Sequence, residues 1–459
     1  MTTRRLFEWV GRELKDVALS HLSDVAEEPA GDAVVLAIRS ALRLSPSILV
    51  RSQSLAPYER VLFLLSRHDI EEVLDRDDVF SVSEYGARMK ASSGAFFLGM
   101  DGGSKTYAPE QAVAARALAR VDIKKGIEAA AFAEGDVDRV GRIIRDATVS
   151  AIDAAKASVK PGQKGRIDAA KQLADLVPLA LAKDYFGVAP LLDDNRNDVL
   201  VPTAQAVAFY VFNFFAAGPK YAVPGTDAGI RLHRHLVAQI EDNRLKPDTV
   251  LSRMVEWMRQ TPGASWTPHD VARTLAGVLV GSIAPGLGLC LHSIARLVQL
   301  DETAREPLVA AAANDDTTVA LGFAREGARF SPYPPTIYRI CTEDFTVGVG
   351  TVHERRIEAG TLVVPVFLGA AFDGDFVHLP EQFIPSRSPS EYLLFGHGRH
   401  ECLGKYIGEA MMARMVLELF KLPDLRRAEQ KRSTTTSSSA KFAPFGGELL
   451  LEFSWPPAE

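Results

Sequence analysis

One ten-residue stretch concentrates chemistry-bearing residues: Phe395-Gly-His-Gly398-Arg-His400-Glu-Cys402-Leu-Gly404. Its single cysteine stands just ahead of an apolar run with helical spacing, KYIGEAMMARMVLELF. Backbone N–H groups at a helix start stabilise a thiolate. Gly398 and Gly404 carry no Cβ, which lets the backbone approach a flat ligand closely. A thiolate so placed can serve as the axial ligand of a haem iron, where its electron density favours O–O cleavage. A lone cysteine is more often a buried structural residue in a tight turn; only the full pattern favours the ligand reading. The other two cysteines, Cys290 and Cys341, form no CxxC pair, so a disulfide framework or a cysteine-rich zinc site is not expected.

Two apolar stretches would surround such a centre. Between Arg273 and Arg296 there is no Asp, Glu, Lys or Arg, a length sufficient to span a bilayer. Gly277, Gly281, Ser282, Pro285, Gly286, Gly288 and His292 interrupt it, and no aromatic belt flanks it. It reads as a buried central helix. Phe209-Tyr-Val-Phe212-Asn-Phe214-Phe215 is dense in aromatics. Each ring alone suggests core packing; together they suggest an apolar, chain-like substrate.

The elements that must position these residues follow from the wider pattern. The 459 residues are 47% hydrophobic and 24% charged, enough for a large core and a bound cofactor. Lys and Arg total 52 against 58 Asp and Glu, and the net charge of −6 argues against a nucleic-acid binder driven by bulk charge. Residues 1–45 read as an N-terminal helical segment packed on the main domain, without a secretory signal. A cytoplasmic chain with no transmembrane anchor is expected. Residues 46–459 read as one large domain, mainly α with small β-sheets. Strands are expected at Ile48–Val50, Val61–Leu65, Thr336–Cys341, Phe345–Val349 and Thr361–Val364. A short helix is expected over Asp69–Leu74, and a loop through Phe80–Phe97. Helical patterns dominate from Ala112 to Leu300, broken at Lys160–Gly165, Gly218–Gly225 and Pro262–Gly263. A last helix runs over Leu403–Phe420, and Ser433–Ser439 reads as a solvated loop.

FGHGRHECLG resembles the haem-binding loop of the cytochrome P450 superfamily, F-x-x-G-x-[RH]-x-C-x-G, at every fixed position. Upstream, in the family's order, Glu326-Gly-Ala-Arg329 resembles its E-x-x-R motif. Phe383-Ile-Pro385-Ser-Arg387 resembles the arginine-bearing segment before the haem loop. Phe97-Leu-Gly-Met-Asp101 resembles the segment leading into the helix beneath the haem propionates. The resemblance implies the cytochrome P450 fold, with haem b held through Cys402 in a loop formed by Phe395, Gly398, His400 and Gly404. It implies a buried structural network of Glu326, Arg329 and Arg387, and propionate contacts from Arg339 and His400. Lys105 falls where bacterial members often carry a propionate-binding histidine; it either reaches a propionate or is a solvated loop lysine.

The helix crossing the distal haem face departs from the family. Usual members carry an acid followed by threonine, which relay protons during O–O cleavage. Here Ala284 and Pro285 occupy those positions, and neither side chain can donate or accept a proton. Proline also frees a carbonyl one turn earlier. Ser282 is the nearest hydroxyl, but helical serines more often bond their own backbone. A site without this relay suits an oxidant whose O–O bond is already made: a peroxygenase using hydrogen peroxide, or an isomerase or lyase acting on a lipid hydroperoxide. The alternative is a conventional O2-dependent monooxygenase fed by a separate ferredoxin and reductase. Arg399, Lys405 and Arg414 around the cysteine loop would steer an acidic ferredoxin. A haem protein without catalysis is the third reading. Arg88 and Lys90 read as solvated loop residues rather than as anchors for a substrate carboxylate.

Overall fold

The computed structural model describes residues 47–51, 58–119, 134–160, 163–213, 219–260, 266–351, 353–428 and 448–454. The N-terminal segment 1–45, Phe214, Phe215 and Ser433–Ser439 lie outside the described residues.

Short β-branched and apolar runs build the main sheet. Strands β1 (Ser47–Arg51), β2 (Arg60–Leu64), β3 (Phe80–Ser81), β5 (Arg339–Cys341) and β8 (Leu362–Pro365) assemble in the order β1-β2-β8-β5-β3. Only β2 and β8 run parallel, with Leu62 opposite Val363. Strand β4 (Gly165–Asp168) pairs antiparallel with β10 (Leu450–Phe453), which also takes β9 (Arg426–Arg427). Strands β6 (Phe345–Val347) and β7 (Arg355–Ile357) form a hairpin.

Helices make up most of the rest of the described residues. In chain order these begin with α1 (Arg67–Asp75), α2 (Ser83–Ala91), α3 (Tyr107–Ala119), α4 (Glu134–Ala157), α5 (Ala174–Ala180) and α6 (Leu200–Phe212). Then come α7 (Pro219–Glu241), α8 (Val250–Gln260), α9 (Pro268–Leu297), α10 (Glu302–Ala313) and α11 (Thr317–Phe330). Helices α12 (Phe367–Ala371) and α13 (Lys405–Phe420) follow among the described residues.

Helix α9 is the charge-free segment. Thr267 and Asp270 form a reciprocal capping box at its start, with Pro268 at the first turn, where its missing N–H costs nothing. Among the described residues it is the one helix long and apolar enough to cross a membrane, yet 67% of its most apolar window is buried inside the protein. It is a core helix, as its all-round hydrophobicity requires. The Cys290 thiol is fully buried within it, and burial pushes its pKa up.

Three expectations are corrected. The stretch Phe80–Phe97 is not a loop: it holds β3, paired to β5, and then α2. The buried face of α2 includes the cation Arg88 beside Tyr85 and Met89, which disguises its amphipathic pattern. Arg88 is likewise not solvated. It is 7% exposed and donates to the Tyr210 and Asn213 carbonyls at 2.9 and 2.7 Å, at the C-terminal end of α6. Lys90 is exposed. The helical region from Ala112 onward is also interrupted by β4, whose partner β10 is remote in sequence, so no local pattern announces the pairing.

A buried ionic cluster fixes the segment between α12 and the cysteine loop. Arg329 Nε and Nη2 donate to the two Glu326 oxygens at 3.0 and 2.7 Å. Its remaining donors reach the carbonyls of Ala371, Pro380 and Gln382 at 2.9, 2.8 and 3.1 Å, so all five N–H groups are used. Arg387 Nε donates to Glu326 Oε1 at 3.0 Å, and its Nη2 holds the Leu379 and Gln382 carbonyls. All three side chains are at most 1% exposed. Removing one partner leaves a buried charge uncompensated. The Arg387→Leu variant is therefore expected to lose about 3–5 kcal/mol of stability, read as a lowered urea midpoint; an unchanged midpoint would mean that the cluster is not needed.

Candidate active site

A cavity of about 330 Å³ lies between α9, the cysteine loop and the chain leading into β5. Cys402 is on its wall. The loop reverses through Gly396 and Gly398, both at positive φ (74° and 69°), where non-glycine residues are strained. The Cys402 N–H then donates to the Phe395 carbonyl at 2.8 Å, closing the loop just before α13. The thiol is enclosed by protein yet solvent-accessible, because its open side is the cavity. Burial pushes this thiol up to about 11, while the Gly404 N–H pulls it the other way.

The two expected glycines differ. A Cβ at Gly404 would meet only the Cys402 sulfur, at 3.8 Å, so this residue keeps the space beside the thiol open. Gly398 does not line the cavity. A Cβ there would meet Asp75 Oδ1 at 2.6 Å and the Leu74 carbonyl at 2.9 Å, so its smallness serves the packing of the loop on α1. Gly396, which the sequence reading did not single out, is the glycine that lines the wall. Phe395 lines it too, packed so close to α13 that a Cβ on Gly408 would come within 3.0 Å of its ring.

His400 lines the polar end of the cavity, and Arg339, whose charge acts on it, stands just outside the lining. Arg339 is 5% exposed, and its only hydrogen bond to a described residue is to the Tyr338 carbonyl, at 2.9 Å. Burial pulls its pKa below the ordinary arginine value. Both ring nitrogens of His400 are buried without a partner. Burial, then the nearby Arg339 and Arg399 charges, lowers its pKa to about 3. Tyr107, missed in the sequence, packs edge-on to the His400 ring with centroids 5.2 Å apart, and its hydroxyl donates to the Arg399 carbonyl at 2.7 Å. Its only sequence signal is its place in the segment after Asp101. Lys105 is exposed in the turn before α3 and does not line the cavity.

On the opposite wall, α9 presents Ala284, Pro285, Gly281 and Ser282. The helix runs unbroken through Pro285, which has no N–H to give the Gly281 carbonyl. The Ser282 hydroxyl donates to the Val278 carbonyl one turn back, at 2.7 Å. Farther out, Tyr85 and Tyr338 stack with centroids 3.9 Å apart, and the Tyr338 N–H donates to the Tyr85 hydroxyl at 3.0 Å. Phe209 and Phe212 of the aromatic run reach the wall. Among the described residues no Asp, Glu, Lys or Arg lines the cavity.

The cations near the cysteine loop are paired within the chain. Arg399 meets Asp77 at 3.0 Å, Lys405 meets Glu401 at 3.0 Å and Arg414 meets Asp315 at 2.8 Å.

Residues 323–443 match the family described as Cytochrome P450. The cyclomarin C epoxidase CymV of Salinispora arenicola is 33% identical over 52% of this chain and 57% of its own length. The steroid C26-monooxygenase of Mycobacterium tuberculosis is 25% identical over 58% of this chain and 66% of its own length. The chain thus spans about half to two thirds of the curated relatives it matches. Among solved structures, CalO2 superposes with a TM-score of 0.68 at 16% identity, covering 94% of this chain and 97% of that one. EryK in complex with erythromycin B gives 0.67 at 18%, covering 94% and 98%.

Residues 323–443, and through them this chain, are similar to the cytochrome P450 superfamily. The mainly helical P450 fold with small sheets follows from the same likeness. The P450 cofactor, haem b bound through a cysteine thiolate, fits what the cavity offers. A thiol faces it, a glycine leaves room beside that thiol, and a buried guanidinium and an unpartnered imidazole stand where carboxylates would satisfy them. Charge-assisted bonds to a carboxylate are each worth about 1.5–3 kcal/mol. Replacing Arg339 by Leu together with His400→Ala should therefore speed haem transfer to apomyoglobin at least about tenfold. Unchanged haem loss would remove both residues from the propionate site.

Proposed function

We propose that this chain is a haem-thiolate oxidoreductase with one large haem-binding domain from residue 46 onward. It acts on an apolar small molecule and takes its O–O bond ready-made, as hydrogen peroxide or as a hydroperoxide carried by the substrate. Haem b on Cys402 would supply the redox centre, with the thiolate favouring O–O cleavage.

The observation that carries this reading is the α9 wall. Ala284 and Pro285 hold no proton to give, and the Ser282 proton is committed to the Val278 carbonyl. No acidic or basic side chain among the described cavity residues replaces them apart from His400, which belongs to the polar end. Making water from dioxygen requires delivered protons as well as electrons. Rearranging or splitting an existing hydroperoxide needs no external electrons, and its protons stay with the substrate. The internal pairing of Arg399, Lys405 and Arg414 further weakens the attraction for an acidic ferredoxin.

The lining also bears on the substrate. Aromatic and aliphatic walls stabilise apolar surface by about 25 cal/mol per Å² removed from water. With Arg88 turned to the α6 carbonyls, no cation in the cavity waits for a carboxylate, so the part of the substrate inside it is uncharged.

A conventional O2-dependent monooxygenase is the second reading. It is favoured by the relatives named epoxidase and monooxygenase, and by the Gly281 carbonyl, which Pro285 leaves available to hold a water. The two separate on electron demand. Purified ferric protein given a polyunsaturated fatty-acid hydroperoxide or hydrogen peroxide, with no NAD(P)H, is expected to turn over catalytically to a defined product. Turnover no faster than free haem, alongside activity with ferredoxin and reductase, would establish the second reading instead.

A further inference from the structure

Away from the haem cavity, the first turns of α1 gather a second set of ligand-type side chains. His68, Asp69 and Glu72 bring one ligand atom each to within 4.8 Å of one another. His68 and Glu72 are four residues apart on α1 and share a face. Asp69 is 1% exposed, and its Oδ2 has no hydrogen-bond partner. A buried carboxylate oxygen without a donor is costly. The other oxygen meets only His68 Nδ1, at 3.3 Å. Glu72 Oε2 accepts from the Gly348 N–H at 2.8 Å, which orients the carboxylate and leaves Oε1 available.

The β6–β7 connection closes over this cluster. Gly348 has φ of 66°, and a Cβ on it would have Asp69 Oδ1 at 3.4 Å and the His353 backbone at 3.5 Å. The His353 backbone thus lies by Gly348, but its ring is not among the ligand atoms gathered around Asp69. Arg355 feels the same carboxylate without hydrogen bonding it.

We propose that His68, Asp69 and Glu72 bind a divalent cation of the zinc class, with water completing its shell. One imidazole with two carboxylates suits zinc or a neighbouring first-row metal, whereas magnesium and calcium take oxygen donors alone. The His68 side chain is 57% exposed, which gives the ion an entry path. The ion supplies the charge that Asp69 Oδ2 lacks, and Glu72, through the Gly348 N–H, ties α1 to the β6–β7 hairpin. The far end of α1 backs the haem loop at Gly398, where His397 also meets Asp75 at 3.2 Å. The clamp therefore stiffens the support of that loop without entering the cavity.

Tag-free holoprotein equilibrated with zinc chloride and then dialysed is expected to retain one zinc per chain by mass spectrometry. Its apparent melting temperature should rise by about 3 °C at a hundredfold excess over Kd. His68→Ala should weaken binding at least about tenfold while leaving the Soret band, and hence the folded holoprotein, unchanged. Zinc that dialyses away, or affinity that His68→Ala does not alter, would overturn the site.

Discussion

The Glu326 carboxylate is the constraint on which the proximal half of the molecule depends. It is fully buried between two arginines, one from its own helix and one from beyond α12. Its Oε1 also accepts the Ile384 N–H at 2.9 Å, so one carboxylate pins helix, side chain and loop backbone together. Burying three charges is tolerable only with complete pairing. That completeness gives the irregular chain from Ala371 to Arg387 a single course. The cysteine loop begins shortly after it, and its position is inherited from this arrangement rather than from any regular element of its own.

Polar satisfaction is uneven around the cavity, and the unevenness is informative. The arginines of the Glu326 cluster have every donor engaged, whereas Arg339 makes one hydrogen bond and His400 none. Natural interiors seldom leave such groups unmet without a ligand to meet them. On the facing wall the opposite holds: Ser282, the one hydroxyl beside Ala284 and Pro285, already has its partner. One end of the cavity thus invites anionic groups, and the α9 wall offers a substrate neither charge nor free proton.

Much of this was legible from residue types. The cysteine loop and the Glu326–Arg329 pair are local patterns that carry their chemistry within about ten residues, and the charge-free helix is one continuous run; Arg387 joins the cluster from 61 residues away and was legible only through the family resemblance. Strands β2, β5 and β8 were legible as short apolar runs. What stayed hidden was non-local. Strand β4 exists only because β10 returns from the far end of the chain. Helix α2 escaped because its buried face uses an arginine, whose charge is met by the backbone of α6. Gly398 looked like a ligand-facing glycine, but its contact is the backbone of α1, which no spacing rule reveals. Tyr107 escaped because its partners, His400 and the Arg399 carbonyl, are distant in sequence.

The central claim is that the distal wall does not deliver protons to a dioxygen-derived oxidant. The most direct measurement is the coupling of electrons to product when the holoprotein is driven by NAD(P)H with a surrogate ferredoxin and reductase and given an apolar substrate. The account predicts poor coupling, with most of the reducing equivalents recovered as hydrogen peroxide. Near-stoichiometric product per electron pair would contradict it, because a competent proton path would then have to exist despite Ala284 and Pro285.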